Sequence, residues 1–244
     1  MAWLTVLGIP AAVYVASMTA LMFYMNEKQQ QPLLLLGAGT LTVAIYIFHR
    51  TSIVHIEPMQ ARHRLAIRHK KVFRMVSFLT LVLSVALFSM QHPIWELLVF
   101  CSIAGVIVYG RNVISKPLRN ITYLKPFMVG TAIAMFAWAL NEFSNLGLSP
   151  VLFILICSAD ALVCDVVDCA YDSASGCTTL ASKYGVFGTW LIAGLLYVIA
   201  AIVFQSYVGW LFLLMFPVPL LFQKFMRTAV DIRPLLVLLL AWSL

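Results

Sequence analysis

The sequence predicts an all-α, polytopic membrane protein, and three observations support this fold class. Of the 244 residues, 63% are hydrophobic. Charged side chains make up 10%, whereas a typical soluble domain has about a quarter. The mean hydropathy is +0.98. A water-soluble fold cannot bury this much apolar surface, so the composition excludes a soluble enzyme, a disordered chain and a disulfide scaffold.

Apolar stretches separated by charged or proline-containing breaks predict nine membrane spans, because about 20 apolar residues cross the hydrocarbon core. The spans cover residues 2–25, 32–54, 72–90, 94–109, 121–140, 148–168, 186–205, 208–222 and 234–244. The eighth contains Pro217 and Pro219, which should kink it. The ninth is too short to cross an average bilayer unless it is tilted or continued. No linker interrupts the pattern, so residues 1–244 are expected to form one domain.

The basic residues predict the orientation, because Lys and Arg near the ends of spans resist translocation. Of the 16 Lys and Arg residues, 15 follow an even-numbered span and only Lys28 follows an odd one. The even loops and the N-terminus are therefore expected in the cytoplasm. The net charge of +7 is therefore explained by the membrane topology and not by a nucleic-acid partner. The expected partner is the lipid bilayer.

The segment most informative about function is 160–172, which carries four aspartates at membrane depth. Each acidic side chain costs about 3 kcal/mol or more there. With about 100° per residue, Asp168 lies about 60° from Asp165 and Asp172 lies about 20° from it, so these three share one helical face. Asp160 lies about 140° away and is expected to make a different contact.

Three like charges on one face would partly neutralise by taking up protons unless a cation lies among them. Mg²⁺ fits, because it takes oxygen ligands and commonly joins carboxylates to substrate phosphates. The three aspartates are therefore the expected metal ligands and catalytic groups. The alternative is a helix end whose aspartates are solvated or paired with Lys183 and Arg119.

Residues 165–185, DVVDCAYDSASGCTTLASKYG, resemble the second aspartate-rich motif of the UbiA superfamily of intramembrane prenyltransferases. The D-x-x-D-x-x-x-D pattern matches, and so do the Gly, Thr-Leu and final Gly that follow. Residues 119–127, RNITYLKPF, are similar to the segment that enters the family's fifth helix. The resemblance implies a helical bundle around a cytoplasm-facing cavity, with Mg²⁺ as cofactor and a prenyl diphosphate as substrate.

The family's first motif, N-x-x-x-D-x-x-x-D at the end of the second span, is degenerate in this chain. A branch of the family has Y-x-x-D-R there, followed by a basic stretch that residues 62–64 resemble. Tyr46 and Arg50 match this version, but His49 stands at the aspartate position and Ile53 near the second one. One of two Mg²⁺ clusters is therefore expected to be lost. His49 either donates a hydrogen bond to phosphate or lies at the headgroups beside Arg50.

Basic residues that flank the predicted cavity are candidates for binding the diphosphate. Charge-assisted hydrogen bonds are expected from Lys125 and Lys183, and then from Arg50 and Arg119. Residues 62–74 are instead expected to bind anionic lipid or to form a solvated loop. The remaining candidates for substrate contact are Tyr46, His49 and Tyr123.

Three functions stay open. The first is transfer of a prenyl group from the diphosphate to an aromatic or lipid acceptor. The second is a terpene cyclase that acts on the prenyl diphosphate alone. The third is a binding or assembly protein without catalysis, which the degenerate first motif favours. A transporter is disfavoured, because the charges lie at one membrane face and not at the midplane.

Overall fold

The computed structural model describes residues 2–52, 61–91, 94–110, 121, 123–143, 149–174, 176–222 and 225–243. In these ranges the chain forms helices joined by turns and has no strand. The helices are α1 (Ala2–Leu7), α2 (Ile9–Met25), α3 (Pro32–Thr51), α4 (Ala61–Arg68), α5 (Lys70–Ser89), α6 (Ile94–Gly110), α7 (Leu124–Leu140), α8 (Ser149–Ala174), α9 (Leu180–Phe204), α10 (Tyr207–Leu214), α11 (Val218–Leu221) and α12 (Met226–Ser243). The predicted all-α class is confirmed.

Among the described residues, four helices are long and apolar enough to cross a membrane, namely α3, α5, α8 and α9. Shorter apolar helices occur in α2, α6, α7 and the stretch from α10 to α11. Each of the nine segments expected from hydropathy contains a helix. Length and composition therefore support a membrane protein, while only part of the expected set of spans meets the length of a crossing helix.

Two of the predicted spans are broken. The first is divided at Gly8, whose φ of 73° ends α1 and precedes α2, so the expectation of one continuous helix is wrong. A side chain at Gly8 would place its Cβ 2.8 Å from Tyr46 Cβ, so this break also lets the chain approach α3. The eighth span is interrupted between α10 and α11 beside Pro217, which confirms the expected kink.

Helix α12 begins well before the predicted ninth span. It starts at Met226 and includes three charged side chains, Arg227, Asp231 and Arg233. Hydropathy assigned these charges to a loop, but Arg233 is fully buried and pairs with a carboxylate. Charges that find partners inside the protein do not end a helix, and for this reason the predicted boundary at residue 234 is wrong.

Helix α8 lies at the centre of the described structure and packs against α7, α9, α12 and α2. Its buried apolar side chains include Phe153, Ile156 and Leu162. Gly130 of α7 lies directly on this helix, because an added Cβ would be 2.2 Å from Ser158 Oγ. This close approach fixes the antiparallel pair of α7 and α8, which brings the beginning of α7 to the end of α8.

Candidate functional site

The acidic motif lies in the last three turns of α8, which continues without interruption to Ala174. Around it lie the end of α3 and the beginnings of α4, α7 and α12. We call this region the charged end, and its members are Asp165, Asp168, Asp172, Lys125, Arg50, Arg62 and Arg227. Asp165, Asp168 and Asp172 thus lie together, as their spacing predicts.

Lys125 bridges two of the aspartates. Its Nζ lies 2.7 Å from Asp165 Oδ1 and 2.6 Å from Asp172 Oδ2. A single ammonium group reaches both carboxylates, which confirms that Asp165 and Asp172 share a face. The other oxygen of the Asp165 carboxylate, Oδ2, is buried and has no hydrogen-bond partner among the described residues.

Asp168 is held by two arginines from different helices. Arg62 Nη2 of α4 donates to Asp168 Oδ1 at 2.6 Å, and Arg227 Nη1 of α12 donates to Asp168 Oδ2. Burial and the neighbouring Arg227 lower the pKa of Arg62. Both oxygens of this carboxylate therefore have a guanidinium partner.

Arg50, Arg62 and Arg227 line one cavity together with Asp231 and Thr228. The cavity measures about 10 Å³, about the room of one water molecule. Three guanidinium groups at one cavity are a suitable donor set for an anion, because each presents several N–H groups in a fixed fork. The cavity must widen to admit a phosphate.

The sequence pair Tyr46 and Arg50 forms one contact in α3. The Arg50 guanidinium lies 4.9 Å from the centroid of the Tyr46 ring, and it donates to the carbonyl oxygens of Thr5 and Val6. His49 is half-buried on the same last turn, and it is not among the described residues that line the cavity. Its expected contact with phosphate stays a prediction.

His63 is a buried neighbour of the charged end. Its ring centroid lies 4.8 Å from that of Tyr171, and among the described residues Nδ1 has no hydrogen-bond partner. Burial and the adjacent Arg62 and Arg50 lower the pKa of His63 to about 3. The imidazole is therefore neutral at pH 7 and adds no charge to the cluster.

The residues that follow the aspartates turn the chain back along α8. Gly176, in the turn, and Gly185, at a kink inside α9, have φ values of 74° and 72°, which favour glycine. Thr179 caps α9, since Ser182 N donates to Thr179 Oγ1 at 3.2 Å and Thr179 N donates to Ser182 Oγ at 3.0 Å. The local backbone structure therefore explains why glycine or threonine stands at each of these positions of the motif.

Two of the expected substrate-binding residues, Lys183 and Tyr123, lie together in a cluster apart from the aspartates. The Lys183 ammonium group contacts Tyr123 Oη, and it lies 4.9 Å from the centroid of that ring. Tyr123 Oη is also 3.0 Å from Tyr184 Oη. This cluster is exposed. The alternative to a metal site paired the aspartates with Lys183, but in the structure the lysine beside them is Lys125. Arg119 lies outside the described residues.

Arg62 and Arg227 are the functional candidates that the sequence did not single out. Residues 62–74 were expected to contact lipid or solvent, yet Arg62 turns inward beside the buried His63. Arg227 was assigned to a loop. A signal for a helix was available, because Arg227 and Asp231 have the i, i+4 spacing of a helical pair and precede an apolar run.

Asp160 belongs to a second buried cluster near the middle of α8. Its Oδ2 accepts a hydrogen bond of 2.7 Å from Tyr14 Oη. Its Oδ1 accepts one of 2.5 Å from Tyr197 Oη and also pairs with Arg233. We call these four side chains the Asp160 cluster. They join α2, α8, α9 and α12, which confirms the separate contact expected for Asp160.

The carboxylate oxygens of the charged end are of the type that binds Mg²⁺, but they are paired with side-chain cations in this structure. No group of three or more His, Cys, Asp or Glu residues within the described part of the chain is placed to hold a metal ion. Carboxylate oxygens are nevertheless the ligands that Mg²⁺ prefers. Asp165 Oδ2 has no hydrogen-bond partner among the described residues, and the Lys125 ammonium group lies between two carboxylates.

The charged end therefore combines three carboxylates with one ammonium and three guanidinium groups. A comparison of the chain with protein-family models, with curated proteins and with solved structures finds no match.

Proposed function

We propose that this chain is an intramembrane enzyme of UbiA type that binds a prenyl diphosphate and transfers its prenyl group to an aromatic or lipid acceptor. The observation that carries the proposal is the meeting of three aspartates, a lysine and three arginines at one end of an apolar helical bundle. Acidic and basic groups in this combination suit a metal diphosphate. The nine-span bundle around a cytoplasm-facing cavity is part of the proposal.

In this proposal the arginines hold the diphosphate. Arg62, Arg227 and Arg50 already line one cavity, and their forked N–H groups match phosphate oxygens. Asp165, Asp168 and Asp172 would hold Mg²⁺, which stabilises negative charge on a departing diphosphate. The apolar side chains of the bundle receive the prenyl tail and exclude water from the reacting carbon.

Two alternatives share these contacts. A terpene cyclase uses the same diphosphate site and differs only in its acceptor, which is the prenyl chain itself. A non-catalytic binding protein is favoured by one specific observation: the three aspartates are already paired with Lys125, Arg62 and Arg227.

Product analysis separates the three functions. The purified full chain is incubated with Mg²⁺ and prenyl diphosphates of several lengths, with and without aromatic acceptors, and the products are extracted. We expect a prenylated acceptor. A cyclised hydrocarbon would support the cyclase, and the absence of turnover would support the non-catalytic protein.

A binding experiment tests the site itself. We expect Mg²⁺ to strengthen the binding of a non-hydrolysable prenyl diphosphate analogue to the wild type and to have little effect on Asp168→Asn. Glu142→Gln is the matched control, because it removes an exposed carboxylate at the other end of α7. Equal, metal-independent affinity in the wild type and in Asp168→Asn would contradict the proposal.

Labelling of introduced cysteines tests the orientation that the basic residues predict. Arg68 and Glu142 are both exposed and lie in regions expected on opposite membrane faces. In intact cells we expect Arg68→Cys to be protected from an impermeant thiol reagent and Glu142→Cys to react. The reverse pattern would place the charged end outside the cytoplasm.

A further inference from the structure

Lys125 occupies the position of a bound cation. Its Nζ contacts Asp165 and Asp172, which are about two helical turns apart, at 2.7 and 2.6 Å. The lysine side chain is 14% exposed, so it is not fully enclosed by the protein. An ammonium group is a compact point charge on a flexible stem, and it can leave one set of oxygens for another.

The site retains an open acceptor beside this lysine. Asp165 is 8% exposed in its side chain, and its Oδ2 has no hydrogen-bond partner in the described part of the chain. A buried carboxylate oxygen without a partner is costly and is expected where a ligand completes the site. Because Lys125 is bound to Oδ1 of the same carboxylate, an incoming cation either shares this carboxylate with the lysine or displaces the lysine.

Among the described residues, the charges of the charged end and its cavity balance without a ligand. Four carboxylates, Asp165, Asp168, Asp172 and Asp231, meet four cationic side chains, Lys125, Arg50, Arg62 and Arg227. A divalent cation alone would bring two uncompensated positive charges into this region, and a diphosphate alone would bring an excess of negative charge. The two together nearly cancel, so joint binding is favoured over either alone.

We propose that Lys125 is a counter-cation that prevents the Asp165 and Asp172 carboxylates from binding a divalent cation alone. When metal and diphosphate arrive together, the Lys125 ammonium group leaves these carboxylates and contacts the diphosphate. This inference rests on the proposed function of the charged end. It makes Lys125 a positioning residue that couples the binding of the metal to the binding of the substrate.

Binding of Mn²⁺ alone tests this role, with the full chain in detergent and free Mn²⁺ followed by electron paramagnetic resonance. We expect the wild type to bind Mn²⁺ weakly and Lys125→Met to bind it at least about tenfold more tightly. Lys125→Arg keeps the positive charge and should stay as weak as the wild type. Lys28→Met is the control for loss of a lysine, because Lys28 pairs with Glu142 and not with the aspartates of the charged end.

A second arm adds a non-hydrolysable prenyl diphosphate analogue. We expect the analogue to make the wild type bind Mn²⁺, and to have a smaller effect on Lys125→Met. Equal binding of Mn²⁺ alone by the wild type and a folded, monodisperse Lys125→Met would overturn the inference. Tight binding by Lys125→Arg would overturn it as well.

Failure of the proposed function gives a different result. If the analogue does not promote Mn²⁺ binding by the wild type, the diphosphate site is wrong, and so is the part of this inference in which Lys125 turns to the diphosphate. A gain of Mn²⁺ binding in Lys125→Met in that same experiment would still support closure of the two carboxylates by the lysine.

Discussion

Helix α8 carries two acidic regions that differ in how completely their carboxylates are satisfied. In the Asp160 cluster, both oxygens of Asp160 accept hydrogen bonds, and Asp160, Tyr14, Tyr197 and Arg233 are all buried. At the charged end, Asp168 and its partners are partly exposed, and one oxygen of Asp165 has no partner among the described residues. The Asp160 carboxylate is therefore fully hydrogen-bonded, whereas the Asp165 carboxylate keeps one oxygen available to a ligand.

This difference suggests different roles. A buried ion pair whose carboxylate oxygens are both hydrogen-bonded fixes the helices that contribute to it, because separating the charges is strongly unfavourable. The Asp160 cluster draws on four helices and holds α12 against α8. The charged end also pairs aspartates with basic side chains, but Lys125, Arg62 and Arg227 are partly exposed. The two regions should therefore respond differently to the removal of one charge.

The largest effect is expected for Arg233→Met, which leaves Asp160 buried without its cationic partner. Removing one member of a buried pair costs about 3 to 5 kcal/mol, so the free energy of unfolding in detergent should fall by this amount. Arg227→Met is the matched change at the charged end, where Asp168 keeps Arg62. Its loss should be clearly smaller, and equal losses would contradict the comparison.

A smaller loss is expected for Gly130→Ala, which tests the helix pair that carries Lys125 to the aspartates. The new Cβ would lie 2.2 Å from Ser158 Oγ and 2.6 Å from Ser158 N. Overpacking of this kind costs about 1 to 3 kcal/mol. Gly105→Ala is the control, because its Cβ has no described neighbour within 4 Å. A drop of the melting temperature in both variants would show that the close contact is not the cause.

Sequence periodicity predicted α8 and its acidic face, because both depend on residues close together in the chain. Asp165 and Asp172 need only the helical repeat to share a side. Their partners could not be predicted in this way. Arg62 and Arg227 come from helices more than 50 residues away on either side, and only the packing of α4 and α12 on α8 brings them together.

Hydropathy failed for a related reason at α12. Arg233 was counted as a loop residue since a charge inside a span is unfavourable, and its buried partner Asp160 lies 73 residues earlier in the sequence. The same rule correctly marked Asp160 as a residue that needs a partner. It did not say which helix supplies that partner.

The third prediction concerns pH and His63, which lies outside the candidate spans. Its pKa of about 3 in the fold is below the usual value of 6.5. Between these values the unfolded chain binds a proton that the folded chain does not, so stability decreases as the pH falls through this window. The slope is at most about 1.4 kcal/mol per pH unit.

Unfolding of the wild type and of His63→Phe between pH 7 and pH 5 measures this contribution. We expect the variant to lose less stability than the wild type as the pH falls, because it carries no imidazole at this position. His63→Gln removes the titrating group while keeping polarity, and it should give the same flatter profile. An unchanged slope in both variants would assign the acid sensitivity to other groups.

The smallest effect is expected far from both acidic regions of α8, at the exposed pair of Lys28 and Glu142. Their N···O distance of 2.9 Å resembles the distances at the charged end, but the Glu142 side chain is 64% exposed. Water and salt screen such a pair, and exposed pairs contribute about 0.2 to 1 kcal/mol. Lys28 Nζ also donates to the carbonyl oxygen of Asn141, so Glu142→Gln is the change that removes the ion pair alone. It should lower the free energy of unfolding by less than about 1 kcal/mol. The loss should disappear in 1 M NaCl, because the Debye length there is about 3 Å. A loss as large as that of Arg233→Met would mean that burial does not determine how much a charged pair contributes to the stability of this molecule.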